Sequence, residues 1–525
     1  MTESEAAPLR YRRYFWILLA GVAIVRLVIA GSFGLSTDES HYALYSRHLA
    51  WGYFDHPPMV AFLAAFTTIF GDSALLFRLG PIVCWTLAVI VLRQLVVALY
   101  DDERLVFSVL LMMLVMPIQH LLSIALLPDA TLNLFWCGTL FALYRATQEG
   151  RWIWWLLGGV LFGGAMLSKY HGVLLPMCVL SYLLASRSQR HWLKTTKPYV
   201  AGLLGLLVFA PNIIWNMQHD WISYAFQLKH GGGKGGFSLA KLCEGFGGQM
   251  LAASPILFIM LIIAYAKLIL EGMSRESDKF VFWTSLPVFV FFCLIGSFGK
   301  ILPHWPAVGW WTASIMLVSV VNRAKDEGGA SGLRWRSWYI AGLVFSCVMV
   351  CAIYVAVSYP VVGILHEKAR HMSVMLNNRW RCSPVISPFK SKYDVTNDLH
   401  GWKEAADRIE KIRSTMPRPD QTFIFCHRFF TTSQIALYLE PGVRATSLNR
   451  NAGQYGIWFN TEKHEGWDAL FVDDNHYFQG SDRYMPLFES VDPVPELVAI
   501  RRQNCLAHSL HVYKYYGFKG RGEGE

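Results

Sequence analysis

Charged residues are scarce in this chain. Only 16% of its 525 residues are Asp, Glu, Lys or Arg, while 54% are hydrophobic, and an ordinary soluble protein carries about 25% charged residues. The composition therefore excludes a water-soluble globule and indicates a protein that lies mainly in a membrane.

Metal-binding and cleavage motifs are also missing. The ten cysteines form no Cys-x-x-Cys pair and no cluster with histidine at zinc spacing, so a structural metal site has no support. No small-residue cleavage site follows the first apolar run, Tyr14 to Phe33, which favours a retained anchor over a signal peptide. Whether Cys382 and Cys505 pair as a disulfide stays open.

Long apolar runs are abundant instead. Runs of about 20 residues, the length that crosses a bilayer, centre near residues 23, 90, 115, 136, 160, 180, 207, 258, 289, 312 and 348. We therefore predict about eleven transmembrane helices in a membrane domain of residues 1–360. Residues 361–525 alternate helix and strand patterns, which predicts a small α/β domain.

The basic residues indicate an orientation. With the amino terminus in the cytoplasm, Lys and Arg collect in every predicted cytoplasmic segment, as the positive-inside rule requires. An odd number of spans then places the first long loop and the tail on the outer face. For a bacterium, this predicts a multi-pass inner-membrane protein with a periplasmic tail, whose net positive charge suits anionic lipid rather than nucleic acid.

Charged residues within or beside the apolar runs are candidates for function, because a charge at membrane depth is energetically unfavourable. Arg26 is either an interfacial side chain that extends to the headgroups or the partner of a carboxylate. Asp129 either caps the helix that follows it or is a buried acid. Lys169 is either an ordinary interfacial lysine or a group that neutralises a phosphate.

The first outer loop concentrates polar chemistry. Asp38 and Glu39 open it, and Tyr42, Asp55 and His56 follow. A helix cap would explain a single acid here, but the cluster of neighbouring polar residues favours a functional site. Further candidates near outer ends of spans are Arg78, Lys300 and His304.

Carboxylates and cations at one membrane face suit a lipid phosphate as the substrate. A carboxylate can take a proton from an acceptor, while cations stabilise a phosphate leaving group. Asp38 is the candidate base, with Lys169, Arg78 and His56 at the phosphate. In the tail, Asp473 and Asp474 follow a predicted strand, where either a solvated turn or an active-site acid fits.

Several motifs in order resemble one family. They are Thr37 to Met59 (Thr-Asp-Glu-Ser-His to Asp-His-Pro-Pro-Met), Leu127-Pro-Asp-Ala-Thr131, Leu167-Ser-Lys-Tyr170, Phe226-Gln-Leu-Lys-His230 and Lys300-Ile-Leu-Pro-His-Trp-Pro306. They are similar to the GT-C superfamily of polyprenyl-phosphate-sugar-dependent glycosyltransferases. The similarity is to the branch with protein O-mannosyltransferases, the lipid A aminoarabinose transferase and lipopolysaccharide core galacturonosyltransferases.

The resemblance implies a fold and a site. The fold is an α-helical polytopic membrane domain with interfacial helices in the first periplasmic loop and a small α/β periplasmic domain. Asp38 falls on the family's catalytic Asp, with Glu39 beside it, Asp129 on a second acid and Lys169 on a basic position. His56 stands where the aminoarabinose transferase has a phosphate-binding lysine.

A histidine is only partly charged at neutral pH, so Arg78 or Lys169 are alternatives for that phosphate role, and Arg26 is a further candidate. Some family members use a divalent metal and others do not. Asp38, Glu39 and Asp55 are the residues that could hold one.

The resulting prediction is a membrane glycosyltransferase. It moves a sugar, with inversion, from a polyprenyl-phosphate donor to a glycolipid acceptor of the lipid A or lipopolysaccharide core type. The alternatives are a protein acceptor, a transporter or flippase of lipid-linked sugar, and a scaffold built on the tail. Transporters place their sites near the bilayer midplane, whereas these acids lie at one face, which favours an enzyme.

Overall fold

A computed structural model describes residues 3–231, 236–365, 368, 394–440, 442–449, 452–474 and 480–520. Cys382 lies outside the described residues, and Cys505 is buried. The described residues divide into two compact units. The membrane unit is Met1–Ala30 with Leu49–Cys351, and the C-terminal unit is Gly31–His48 with Ala352–Glu525. The domain boundary at residues 360/361 stays a prediction.

The membrane unit is helical. Its helices are α1 (Glu3–Ala30), α3 (Met59–Thr67), α4 (Ala74–Tyr100), α5 (Glu103–Val115), α6 (Pro117–Ile124), α7 (Asp129–Glu149), α8 (Trp152–Ser168), α9 (Leu174–Ala185), α10 (Lys197–Gln218), α11 (Ile222–Gly231), α12 (Leu239–Ala253), α13 (Pro255–Glu271), α14 (Glu276–Trp283), α15 (Leu286–Gly296), α16 (Gly309–Glu327) and α17 (Gly329–Ser358). The last residues of α17 belong to the C-terminal unit.

Among the described residues, five helical segments are long and apolar enough to cross a membrane: α1, α4, α10, α14 with α15, and α17. Two bent pairs raise the number to seven if each pair is one span. The helices α5 and α6 are bent by 80° at the point where Pro117 begins α6. The helices α12 and α13 are bent by 110° at Ser254. The protein is thus a multi-pass membrane protein, and the count of eleven spans stays a prediction.

Small residues let two of these helices approach closely. A Cβ atom on Gly159 of α8 would lie 2.3 Å from the carbonyl oxygen of Ala201 in α10, and one on Gly163 would lie 2.7 Å from that of Gly205. Small residues are common at helix contacts in membranes. There, burial of apolar surface does not drive helices together, and close van der Waals packing does. Five fully buried tryptophans fill the interior of the unit: Trp85, Trp136, Trp155, Trp310 and Trp311.

The C-terminal unit is a six-stranded mixed sheet with helices. Its elements are α2 (Thr37–Tyr45), α18 (Trp402–Ser414), β1 (Thr422–Cys426), α19 (Phe429–Tyr438), β2 (Ala445–Ser447), α20 (Gln454–Trp458), β3 (Asp468–Asp474), β4 (Phe488–Val491), β5 (Glu496–Arg502) and β6 (Cys505–Phe518). The strand order is β2-β1-β3-β6-β4, with β5 also paired to β6. The first three strands are parallel, and β6 is antiparallel to its neighbours.

Alternation along the strands builds two cores. Ile424 and Cys426 of β1 pack on one face of the sheet with α18 and α19, while Phe423 and Phe425 pack on an aromatic core on the other. Because side chains alternate across a strand, a continuous apolar run such as Thr422 to Cys426 is typical of a strand buried on both faces.

Arg502 binds the carboxyl end of α17, the last long helix. Arg502 of β5 is buried and donates to the carbonyl oxygens of Ala356 and Val357 near the carboxyl end of α17. The His400 ring nitrogen also lies 3.0 Å from the Val357 oxygen. A helix end leaves four carbonyls without partners, and a cation there also interacts favourably with the helix dipole.

Candidate active site

Asp38 lies in the first turn of α2 and is exposed. It lines a cavity of about 310 Å³ together with Asp394, Asp398, Asp474 and His508. No Lys or Arg is among the described residues that line this cavity. Its wall therefore presents carboxylate oxygens that can accept hydrogen bonds or a proton from hydroxyl and amine groups.

Glu39 has a different environment from its neighbour. It is buried, and its carboxylate accepts hydrogen bonds from the Ser36 backbone N–H at 2.9 Å and the Ser36 hydroxyl at 3.0 Å. Ser36 and Glu39 thus form a capping box. In it, the Glu39 carboxylate is the acceptor for the Ser36 N–H at the start of the helix. Tyr42, on the same helix, is buried with its ring 5.5 Å from that of His41.

His508 forms the neutral part of the cavity wall. Its Nε2 lies 3.1 Å from the carbonyl oxygen of Asn397 and 2.9 Å from that of His400, so this nitrogen carries the proton. Burial lowers the pKa of His508, because desolvation disfavours the charged imidazolium.

The interpretation of Asp473 and Asp474 as a solvated turn is wrong. Asp473 is buried, and its Oδ2 accepts a hydrogen bond from the Gly480 N–H at 2.8 Å. Asp474 accepts one from the Thr431 hydroxyl at 2.7 Å and lines the cavity. Both end β3, at the carboxyl edge of the parallel strands where polar groups gather.

In the membrane unit, Asp129 and Lys169 form a buried ion pair. The Lys169 ammonium donates to both carboxylate oxygens of Asp129, at 2.9 and 2.8 Å, and both side chains are less than a twentieth exposed. Asp129 is the first residue of α7, and Pro128 holds the N-cap position, so the interpretation of Asp129 as the N-cap is wrong. Lys169 is not an ordinary interfacial lysine.

Two histidines surround this pair. His171 and His304 both lie close enough to interact electrostatically with Asp129 and with Lys169. The His171 ring also contacts Trp305, with ring centroids 5.7 Å apart. His56 in turn lies close enough to interact with both histidines. The structure therefore brings four predicted site residues together: Asp129, Lys169, His304 and His56.

Arg26 and Arg78 are buried between α1 and α4. The Arg26 guanidinium stacks over the Trp85 ring at 3.7 Å and is only 2% exposed, so the interpretation as an arginine extending to the headgroups is wrong. Arg78 donates to the carbonyl oxygen of Ala30, the last residue of α1, at 3.0 Å. Each arginine thus joins the two helices.

The remaining candidates are less enclosed. Asp55 and His56 are half-buried neighbours, with the His56 Nε2 3.9 Å from the Asp55 carboxylate. Lys300 is exposed in the segment after α15. In the part of the chain that the structure describes, no group of three or more His, Cys, Asp or Glu side chains is arranged to hold a metal ion.

Sequence reasoning missed part of this arrangement. Asp394, Asp398 and His508 share the cavity with Asp38 but lie more than 350 residues further along the chain. The Asx-type start of the turn Val395–Leu399, where the Asp394 side chain accepts from the Thr396 N–H, is the only local signal. It indicates a turn and carries no functional meaning.

Comparison with known proteins found a matching family model and similar folds. A family model described as dolichyl-phosphate-mannose-protein mannosyltransferase matches residues 55–215. The crystal structure of ArnT from Cupriavidus metallidurans bound to undecaprenyl phosphate matches with a TM-score of 0.58 at 14% identity, covering 95% of this chain and 98% of that one. The Archaeoglobus fulgidus oligosaccharyltransferase matches with a TM-score of 0.53 at 11% identity, over 88% and 69% of the two chains.

The chain therefore has an ArnT-like fold, the fold that the resemblance of its motifs to the GT-C superfamily implies. Among curated proteins it is similar to the lipid A galacturonosyltransferase RgtD of Rhizobium johnstonii, with 24% identity over 297 residues, or 55% of this chain. The matched part spans 61% of the length of that relative.

Proposed function

We propose that this protein is a membrane glycosyltransferase that moves a sugar from a polyprenyl-phosphate donor to an envelope glycolipid of the lipid A or lipopolysaccharide core type. The similarity to a lipid A galacturonosyltransferase over 297 residues carries the choice of acceptor. The chain-long likeness in fold to ArnT, which was solved with undecaprenyl phosphate, supports the choice of donor.

Asp38 is the proposed general base. It is exposed on a cavity wall, and its carboxylate accepts the proton of the acceptor hydroxyl or amine as that group bonds to the anomeric carbon. The bond from that carbon to the phosphate oxygen breaks, and its electron pair leaves with the polyprenyl phosphate. Attack opposite the leaving group inverts the anomeric centre. Glu39 supports Asp38 through the helix cap.

Lys169 is the proposed cation for the donor phosphate, with Arg78, His56 and Arg26 as further candidates. Fixed positive groups stabilise the charge that develops on a leaving phosphate. Because Asp129 binds Lys169 through both oxygens, its proposed role is to hold that ammonium in place. Tyr42, Asp55, Lys300 and His304 are proposed substrate contacts.

We place the reaction at the periplasmic face of the bacterial inner membrane, because Lys and Arg collect in the predicted cytoplasmic segments. Fusions of alkaline phosphatase and of green fluorescent protein after residue 520 test this orientation. Phosphatase activity without fluorescence supports it, and the reverse contradicts it.

Mass spectrometry of lipid A and core glycolipids tests the function. Cells carry the wild type, a deletion, Asp38→Asn, or Asp407→Asn, which changes an exposed acid of α18 in the same way. We expect a sugar-sized mass to disappear in the deletion and in Asp38→Asn and to persist in Asp407→Asn. An unchanged glycolipid profile in the deletion would overturn the proposal. Transfer in the presence of EDTA, compared with its absence, decides whether a divalent ion takes part.

A further inference from the structure

The helix that carries Asp38 is held by residues from the far end of the sequence. The Thr37 backbone N–H donates to Oδ2 of Asp398 at 2.7 Å, and the Thr37 hydroxyl donates to the other oxygen. The Gly34 N–H donates to the carbonyl oxygen of Leu399 at 3.1 Å. The first turn of α2 is thus tied to the turn Val395–Leu399 on both sides of its start.

Gln434 of α19 completes this attachment. Its side chain is fully buried, and its amide nitrogen donates to the carbonyl oxygens of Leu35 at 3.0 Å and Asp398 at 3.1 Å. Its amide oxygen accepts from the Ser40 hydroxyl at 2.9 Å. The Gln434 amide therefore binds Leu35 before α2, Ser40 within α2, and Asp398, which accepts from the first N–H of α2.

The chemistry of these contacts is specific. The first N–H groups of a helix have no partner within the helix, and a carboxylate at that end is also stabilised by the helix dipole. The Asp398 carboxylate lies at this end of α2 and accepts from the Thr37 N–H. The Glu39 carboxylate accepts from the Ser36 N–H. Hydrogen bonds to an ionised acceptor are about twice as strong as those between neutral groups.

We infer that Asp398 and Gln434 are positioning residues for Asp38, fixing the first turn of α2 so that its carboxylate faces the acceptor. This inference rests on the proposed function. It assigns a catalytic contribution to the sheet domain, because α19 and the turn at Asp398 both belong to it. Each acts through the backbone that carries Asp38, and Asp398 also lines the same cavity.

The expected effect is on turnover rather than on binding. A shift of about 1 Å in a reacting group can cost a factor of about 10² in rate. Gln434→Leu keeps the approximate volume of the side chain and removes its four hydrogen bonds to Leu35, Ser40 and Asp398. We expect it to lower kcat by roughly 10-fold to 100-fold, with KM for donor and acceptor within about twofold of wild type. Gln421→Leu, at an exposed position before β1, is the matched control and should change neither.

A double-mutant cycle separates positioning from a general loss of structure. If Gln434 acts through Asp38, Gln434→Leu has no further effect on the residual activity of an Asp38→Asn protein; independent effects multiply. Full multiplication of the two losses would overturn the inference. An Asp38→Asn protein with wild-type activity would instead remove the proposed role of Asp38.

Hydrogen exchange of the full-length protein provides a readout that does not depend on activity. In Gln434→Leu and Asp398→Asn, we expect faster exchange at the amides of the first turn of α2, with β1 and β3 unchanged. Equal exchange in α2, or equal acceleration across the whole sheet, would show that these residues do not fix this turn.

Discussion

Asp38 and Asp129, two of the acids that the sequence puts forward for chemistry, have opposite surroundings. Asp129 is 2% exposed, and both of its oxygens are bound by Lys169. Asp38 is exposed on the wall of a cavity that it shares with three further aspartates. In the membrane unit a charge is neutralised by a partner next to it, because lipid cannot solvate it. In the C-terminal unit, water allows several like charges to share one cavity.

The difference teaches which acid suits a structural task and which suits the proposed role of a base. Removing the partner from a buried ion pair leaves a charge without solvent or counterion, so Asp129 is suited to a fixed structural task. Asp38 is exposed to solvent, which suits its proposed role as a base.

The largest expected effect comes from Asp38→Asn. The change removes a proton acceptor, and general-base catalysis contributes about 10²-fold to 10⁴-fold. We expect transfer activity to fall by at least about 10² while the melting temperature stays that of the wild type, because the side chain is exposed. Purified protein assayed for transfer and thermal unfolding in the same detergent checks both. A destabilised protein would show that Asp38 is structural like Asp129.

The next largest effect is on stability. Lys169→Met leaves the Asp129 carboxylate buried without its cation, which should cost about 3–5 kcal/mol. The double variant Lys169→Met with Asp129→Leu removes both charges and should recover much of the wild-type melting temperature while remaining inactive. If the single variant is as stable as the wild type, the two side chains do not form a buried pair.

A smaller effect is expected at Arg26. Lysine keeps the charge but lacks the flat guanidinium that stacks over Trp85 at 3.7 Å. Buried cation–π contacts are worth about 2 kcal/mol and exposed ones about 0.5–1 kcal/mol. Arg26→Lys should therefore lower stability by about 1–2 kcal/mol, measured by thermal unfolding against Arg187→Lys at an exposed position. Equal melting temperatures for the two variants would argue against the stacked contact.

The smallest expected effect is a pH dependence of the C-terminal unit. Burial lowers the pKa of His427, His464 and His508. As pH falls through about 6.5, the unfolded chain binds protons that the folded chain does not. Stability should therefore be fully present above this pH and decrease below it. Melting temperatures at pH 7.5 and 5.5 check this, and His508→Gln should weaken the dependence; a melting temperature that rises on acidification would contradict the assignment.

Much of the C-terminal fold could be predicted from local pattern. The strand predicted at Thr422 to Cys426 is β1 with the same bounds, since a run of this short length that is rich in aromatic and β-branched residues favours a buried strand over a helix. The helix predicted at Trp402 to Met416 ends two residues earlier, at Ser414, within the ordinary fraying of helix ends.

The contacts between distant residues could not be predicted. Asp129 and Lys169 each stand out as charges in apolar sequence, but their pairing across 40 residues depends on how α7 and α8 pack. Asp398 and Gln434 do not stand out at all, because polar residues are common in a turn and on a surface helix. Only the folded chain reveals that Gln434 is fully buried against α2.

The hydrogen bond from Thr37 to Asp398 has a consequence for biosynthesis. The two residues are 361 positions apart, and ribosomes add about 5–20 residues per second. Roughly 20 to 70 s therefore separate the synthesis of the Asp38 helix from that of its anchor. During this interval α2 lacks this hydrogen bond, so we expect the arrangement around Asp38 to be completed only after Asp398 has been translated.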